Sequence, residues 1–113
     1  MLTNILWKKY KAPILGTKLY HIIEHEGRKI GFIGLAELEW VETLGEVEWE
    51  TIDYEDFVVC AKRYYKFLKE EEKCDLVIAL THMRVPNDEL LTRSVPELDL
   101  ILGGHDHDYA YYC

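Results

Sequence analysis

Apolar and polar positions along the chain fall into short blocks of differing period. The runs Lys18-Leu19-Tyr20-His21-Ile22-Ile23-Glu24 and Lys29-Ile30-Gly31-Phe32-Ile33-Gly34-Leu35 flank the polar stretch His25-Glu26-Gly27-Arg28. That pattern predicts two strands joined by a glycine-containing turn, a β-hairpin. Gly31 and Gly34 lower strand propensity but leave room for another backbone to approach. From Leu35 to Asp53 no period holds: the segment is acidic, carries Trp40 and Trp49, and reads as a surface excursion. Beyond it, Phe57, Val58, Ala61, Tyr64, Tyr65 and Leu68 recur at helical spacing, with Asp53 as the expected N-cap, acids in the first turn and lysines in the last.

Two short apolar runs follow, Cys74-Asp75-Leu76-Val77-Ile78-Ala79-Leu80 and Leu98-Asp99-Leu100-Ile101-Leu102. Both have the character of strands covered on each face of a sheet. The link between them admits a short helix over Pro86–Val95 that must stop before Pro96. Strand, helix, strand predicts a parallel pair with a right-handed crossover. Strands buried on both faces require helices or a second sheet on each side, so the expected fold class is α/β, or layered α+β.

With 113 residues, 49% of them hydrophobic, the chain is a single domain at most, over residues 1–113. A domain of this size buries roughly two-thirds of its unfolded surface, so a core forms without disulfide or zinc staples. Thirteen Lys and Arg against twenty-one Asp and Glu give a net charge of −8, which argues against duplex nucleic acid as a partner. No apolar run approaches the ~20 residues of a membrane span. Cys60, Cys74 and Cys113 are odd in number, lack C-x-x-C spacing and follow no charged-then-apolar leader, so the thiols read as small hydrophobes in a reduced, by default cytoplasmic, setting. The charge run Lys69 to Lys73 closes the helical pattern and reads as a solvated face.

Candidate chemistry lies where the apolar runs end. Leu80 leads into Thr81-His82-Met83-Arg84, and Leu102 into Gly103-Gly104-His105-Asp106-His107-Asp108. Neighbouring parallel strands bring the loops beyond their carboxyl ends together, so His82, His105 and His107 are expected at one site. The glycine pair lets the backbone turn sharply, and histidines two apart can aim nitrogens at adjacent positions around a metal ion. Arg84 could hold a substrate phosphate through its planar fork, although a loop arginine is more often simply solvated. His21 and His25 in the hairpin read as surface or hydrogen-bonding residues.

The segments Asp75–His82 and Asp99–His107, with Gly27–Leu35 upstream, resemble in order and spacing the calcineurin-like metallophosphoesterases and, within them, the 5′-nucleotidase branch. Leu2-Thr3-Asn4-Ile5-Leu6 also resembles the strand that enters this half of the domain. The resemblance implies half of a four-layer sandwich, two sheets between helices, with a dinuclear site at strand ends that hydrolyses phosphate monoesters of nucleotides. By the same resemblance His82 and His105 would bind one divalent ion and His107 the other; Zn, Mn, Fe and Co all suit histidine with carboxylate. The family's D-x-H, G-D and G-N-H-[DE] motifs, which carry the remaining ligands, the bridging carboxylate and the catalytic histidine, do not occur in these residues. The expectation is therefore a partial catalytic domain, without the family's C-terminal nucleotide-recognition domain, binding one ion weakly at most and inactive alone.

A non-catalytic α/β remnant that binds a partner is the competing expectation, with self-association through an uncovered sheet as its signature. The H-x-H element also occurs in amidohydrolases, but there most of the chain follows it, whereas here the chain ends at Cys113. The metallo-β-lactamase pattern H-x-H-x-D-H fails at Tyr109 and Ala110.

Overall fold

The structure, a computed structural model, describes residues 1–43, 49–107 and 109–111. Asp108 and Cys113 lie outside the described residues, as does the side chain of Trp49. Strands β1 (Ile5–Trp7), β2 (Ala12–Pro13) and β5 (Ile52–Tyr54) form one sheet in the order β2-β1-β5. Strands β3 (Tyr20–His25), β4 (Arg28–Ala36), β6 (Leu76–His82) and β7 (Leu100–Leu102) form a second in the order β3-β4-β6-β7. Helices α1 (Leu38–Glu42), α2 (Phe57–Glu70) and α3 (Val85–Ser94) complete the fold. Among the described residues this mixed α/β arrangement of two sheets and three α-helices agrees with the fold class read from the sequence.

The hairpin forms as its pattern requires: β3 pairs antiparallel with β4, and Glu26 and Gly27 at the turn both have positive φ, 50° and 78°. Two positive φ values suit a type I′ turn, whose twist matches that of the flanking strands. β4, β6 and β7 run parallel, with Ala36 opposite His82 and Leu80 opposite Leu102. All three therefore finish at the same end of the sheet.

Two apolar cores divide the chain. The first joins Ile33, Leu35, Val77 and Ala79 of the larger sheet to Phe57, Cys60, Ala61 and Leu68 of α2 and to Met83, Leu91 and Val95 around α3. The second gathers Ile5, Ile14, Ala36, Val41 and Ile52 around the smaller sheet. Burying side chains of this size removes roughly 1.5–3 kcal/mol of unfavourable apolar hydration each.

Three expectations are corrected. The N-cap of α2 is Asp56, whose carboxylate accepts the Val58 and Val59 amides at 3.0 and 3.2 Å, and the first turn holds no acid. Asp53 instead sits in β5 opposite Leu6, because pairing with β1 claims residues 52–54 before the helix starts. The stretch from Leu35 to Asp53 is not wholly an excursion, since Val41 of α1 and Ile52 of β5 are buried in the second core. Nor are β6 and β7, the two strands of the apolar runs, covered on both faces. α2 and α3 seal the side bearing Val77 and Ala79, while on the other Leu80, Leu100 and Leu102 are 37, 45 and 48% exposed, β7 being an edge strand.

Candidate metal site at the strand ends

His82 is the last residue of β6, and two glycines beyond β7 the chain reaches His105. Parallel pairing fixes both at one end of the sheet, and their rings meet: His82 Nε2 and His105 Nδ1 are 3.2 Å apart, with the planes near edge-on at 67°. The Trp40 ring of α1 packs against His82 at a centroid distance of 5.1 Å. His107 is exposed, and among the described residues no three His, Cys, Asp or Glu side chains gather into a group able to hold a metal ion. The structure thus brings two of the three sequence-selected histidines together and leaves the third apart from that pair. His21 and His25 are exposed on β3, at the opposite edge of the sheet from β7.

The first turn of α3 collects polar contacts from all three strand ends. Thr81 donates its hydroxyl to Asp88 Oδ1 at 2.5 Å. Asp106 Oδ2 accepts the Val85 amide at 2.8 Å. Glu37, directly after β4 and only 3% exposed, takes the Arg84 amide at 3.2 Å and the Asn87 side-chain amide on Oε2. Its Oε1 is buried without a hydrogen-bond partner among the described residues. Gly103 lies so close to α3 that a Cβ there would be 2.6 Å from Asp88 Oδ2.

Burial raises the Asp88 carboxyl above its ordinary value; the Thr81 hydroxyl acts against this, and the neighbouring Glu37 and Asp106 carboxylates push further upward. Arg84 lies beside the site, but its guanidinium is exposed and paired with Glu39 at 3.1 Å. A solvated ion pair of this kind contributes little to stability.

Two imidazole nitrogens 3.2 Å apart fit the chemistry of a shared cation, since tetrahedral Zn–N bonds of about 2.0–2.1 Å place ligand nitrogens about 3.3 Å from each other. The same spacing fits one N–H···N hydrogen bond, so a single proton distinguishes the two uses. Sequence reasoning passed over Glu37, Asp88 and Trp40 as contributors to this corner. Glu37 had a usable signal, because it follows the strand whose register sets it beside His82, whereas Asp88 and Trp40 arrive through helix placement that no local pattern specifies.

The calcineurin-like phosphoesterase family profile matches residues 6–109. The chain belongs to the calcineurin-like phosphoesterase family. Within that family the chain is 39% identical over 102 residues to the 5′-nucleotidase of Vibrio cholerae serotype O1, covering 79% of this chain and 18% of that protein. It is 33% identical over 92 residues to the trifunctional nucleotide phosphoesterase protein YfkN of Bacillus subtilis, covering 81% of this chain and 6% of that one. The solved NAD nucleotidase of Haemophilus influenzae superposes on the whole chain with a TM-score of 0.79 at 23% identity, over 22% of its own length, a likeness of fold. The chain therefore spans about a fifth or less of these relatives. Among its described residues no helix is long and apolar enough to cross a membrane.

Proposed function

We propose that residues 1–113 form part of the catalytic domain of a metal-dependent phosphoesterase acting on nucleotides or other phosphate monoesters. In this reading His82 Nε2 and His105 Nδ1 hold one divalent ion and His107 serves a second. The observation that carries the proposal is the approach of those two nitrogens from the ends of adjacent parallel strands. A cation held there supplies Lewis-acid assistance at a phosphoryl oxygen. The chain's own part is to present both nitrogen lone pairs at one point, which places the ring protons on His82 Nδ1 and His105 Nε2. Glu37 and Asp106 keep the three strand ends in register by holding the first turn of α3. The D-x-H and G-N-H-[DE] motifs that would carry the remaining ligands do not occur in these residues, so in this reading they bind one ion weakly and turn over little substrate unaided.

Titration calorimetry with Zn and with Mn tests the reading. Wild-type chain is expected to bind with a measurable heat, and His82→Ala and His105→Ala each to weaken binding by about tenfold or more. A chromogenic phosphate monoester should be hydrolysed at background rate by the chain alone and faster once a polypeptide carrying the D-x-H and G-N-H-[DE] motifs is added. Equal metal binding by wild type and the His82/His105 double variant overturns the proposal.

A further inference from the structure

We propose that Asp106 is a positioning residue, whose bond to the Val85 amide holds the Gly103–His107 loop in the bend that sets His105 against His82. The backbone gives the first reason. His105 and His107 have φ of 127° and 60°, a region L side chains rarely adopt and one that costs on the order of 1–3 kcal/mol per residue. A loop paying that cost twice in three residues needs outside contacts to fix it, and Asp106 lies between the two.

The second reason is where Asp106 attaches. Val85 opens α3, and its amide is one of the helix N-terminal donors that lack a partner within the helix. Arg84, at the N-cap position, makes no side-chain cap of its own. The capping is done from other strands instead: Glu37 after β4 takes the Arg84 amide, and Asp106 after β7 takes the next. A carboxylate at such a helix end is favoured by the helix dipole as well as by the hydrogen bond.

The third reason is that Val85 is tied rigidly to His82. Only Met83 and Arg84 separate them, and Met83 is fully buried in the first core. Thr81, on the other side of His82, is bonded to Asp88 one turn into α3. The Asp106–Val85 bond therefore anchors the loop of His105 to the same piece of structure that carries His82. Its strength decides whether two imidazole nitrogens stand 3.2 Å apart or drift.

The positioning role stands on its own geometry; its effect on metal affinity rests on the function proposed above. The test compares Asp106→Ala, which removes the acceptor, with Asp106→Asn, which keeps one. In metal-free chain, NMR should show a His82–His105 ring contact and a slowly exchanging Val85 amide in the wild type and in D106N, and should show neither in D106A. With Zn added, D106A should bind about tenfold or more weakly than wild type, and D106N within about threefold. Retention of the ring contact and Val85 protection in D106A overturns the proposal. So does equal loss of metal affinity in D106N and D106A with the ring contact intact, which would make Asp106 a charge or ligand rather than a brace. A D106A chain that fails to fold also overturns it, since the bond would then serve the whole domain. If the wild type binds no metal while the ring contact still depends on Asp106, the positioning role holds and the metal function fails.

Discussion

A Cβ at Gly34 would stand 2.3 Å from the carbonyl oxygen of Met1. The start of the chain is laid directly on β4, with the Thr3 amide donating to Gly34 O at 2.7 Å and the Gly34 amide donating to Thr3 Oγ1 at 2.9 Å. Since the clash is with backbone, no side-chain rotation relieves it. Gly34→Ala is expected to cost about 3 kcal/mol, the upper part of the overpacking range. Gly104→Ala, where a Cβ meets nothing within 4 Å, should be neutral within about 0.5 kcal/mol. Urea unfolding of the two variants checks the contrast, and equal midpoints would contradict it.

Asn4 does comparable work from the other direction. Buried at the start of β1, its side-chain amide donates to Ala36 O at 2.8 Å and Glu55 O at 3.0 Å, while its Oδ1 accepts the Ala36 amide at 3.2 Å. One side chain thereby joins β1, the end of β4 and the segment leading into α2. Asn4→Ala strands buried partners and should lower stability by about 2–4 kcal/mol. Asn4→Asp should do at least as much harm, because a carboxylate replaces a donor opposite two carbonyl oxygens. Thermal melts at pH 7 decide; a shift under one degree for both would rule the account out.

Alkaline pH should unfold the domain through two neighbouring groups. Burial pushes the Cys60 thiol from 9.0 up to about 12, with the Glu55 charge adding to it. Burial likewise raises the Tyr54 hydroxyl from 10.0 to about 12, assisted by the Asp56 charge. For both, the folded value exceeds the unfolded one, so the folded state holds its proton more tightly. The stability this confers is complete below about pH 9 and is lost as pH climbs to about 12. Melting temperature is expected to fall steadily across that window, and Tyr54→Phe to fall less steeply. Cys60 should also resist thiol reagents at pH 8 until denaturant is added; rapid labelling of the folded chain would show that the thiol is not sealed.

The larger sheet was legible in the sequence because its information is local. A turn that needs Glu26 and Gly27 at positive φ, a period-free apolar run and a proline after a short helix each declare themselves within a few residues. The second core was not, since Val41 and Ile52 lie in an acidic stretch without a sustained period and acquire meaning only when β1 and Ala36 fold against them. The same limit displaced the cap of α2: Asp53 and Asp56 are equally good caps locally, and pairing with Leu6 removes the first from contention. At the candidate site, strand register was enough to bring His82 to His105. The brace beneath them, Glu37 and Asp106 on the first turn of α3, depends on where a helix sits on a sheet and leaves no trace in spacing.

Asp88 carries the last expectation. Its carboxyl is raised by burial and by Glu37 and Asp106, with the Thr81 hydroxyl only partly offsetting them. A folded value above the unfolded one means that Asp88 favours folding while protonated, and that this contribution disappears as pH rises through the folded value. When ionised, the group is a half-buried negative charge near the Glu37 and Asp106 carboxylates. Asp88→Asn removes the charge and keeps an acceptor for Thr81, so in EDTA it should melt above wild type at pH 7 by a few degrees. The gain should shrink once the pH falls below the folded value, where wild-type Asp88 is itself neutral. A gain that stays constant from pH 7 to pH 3 would mean that packing against Gly103, rather than charge, governs this residue.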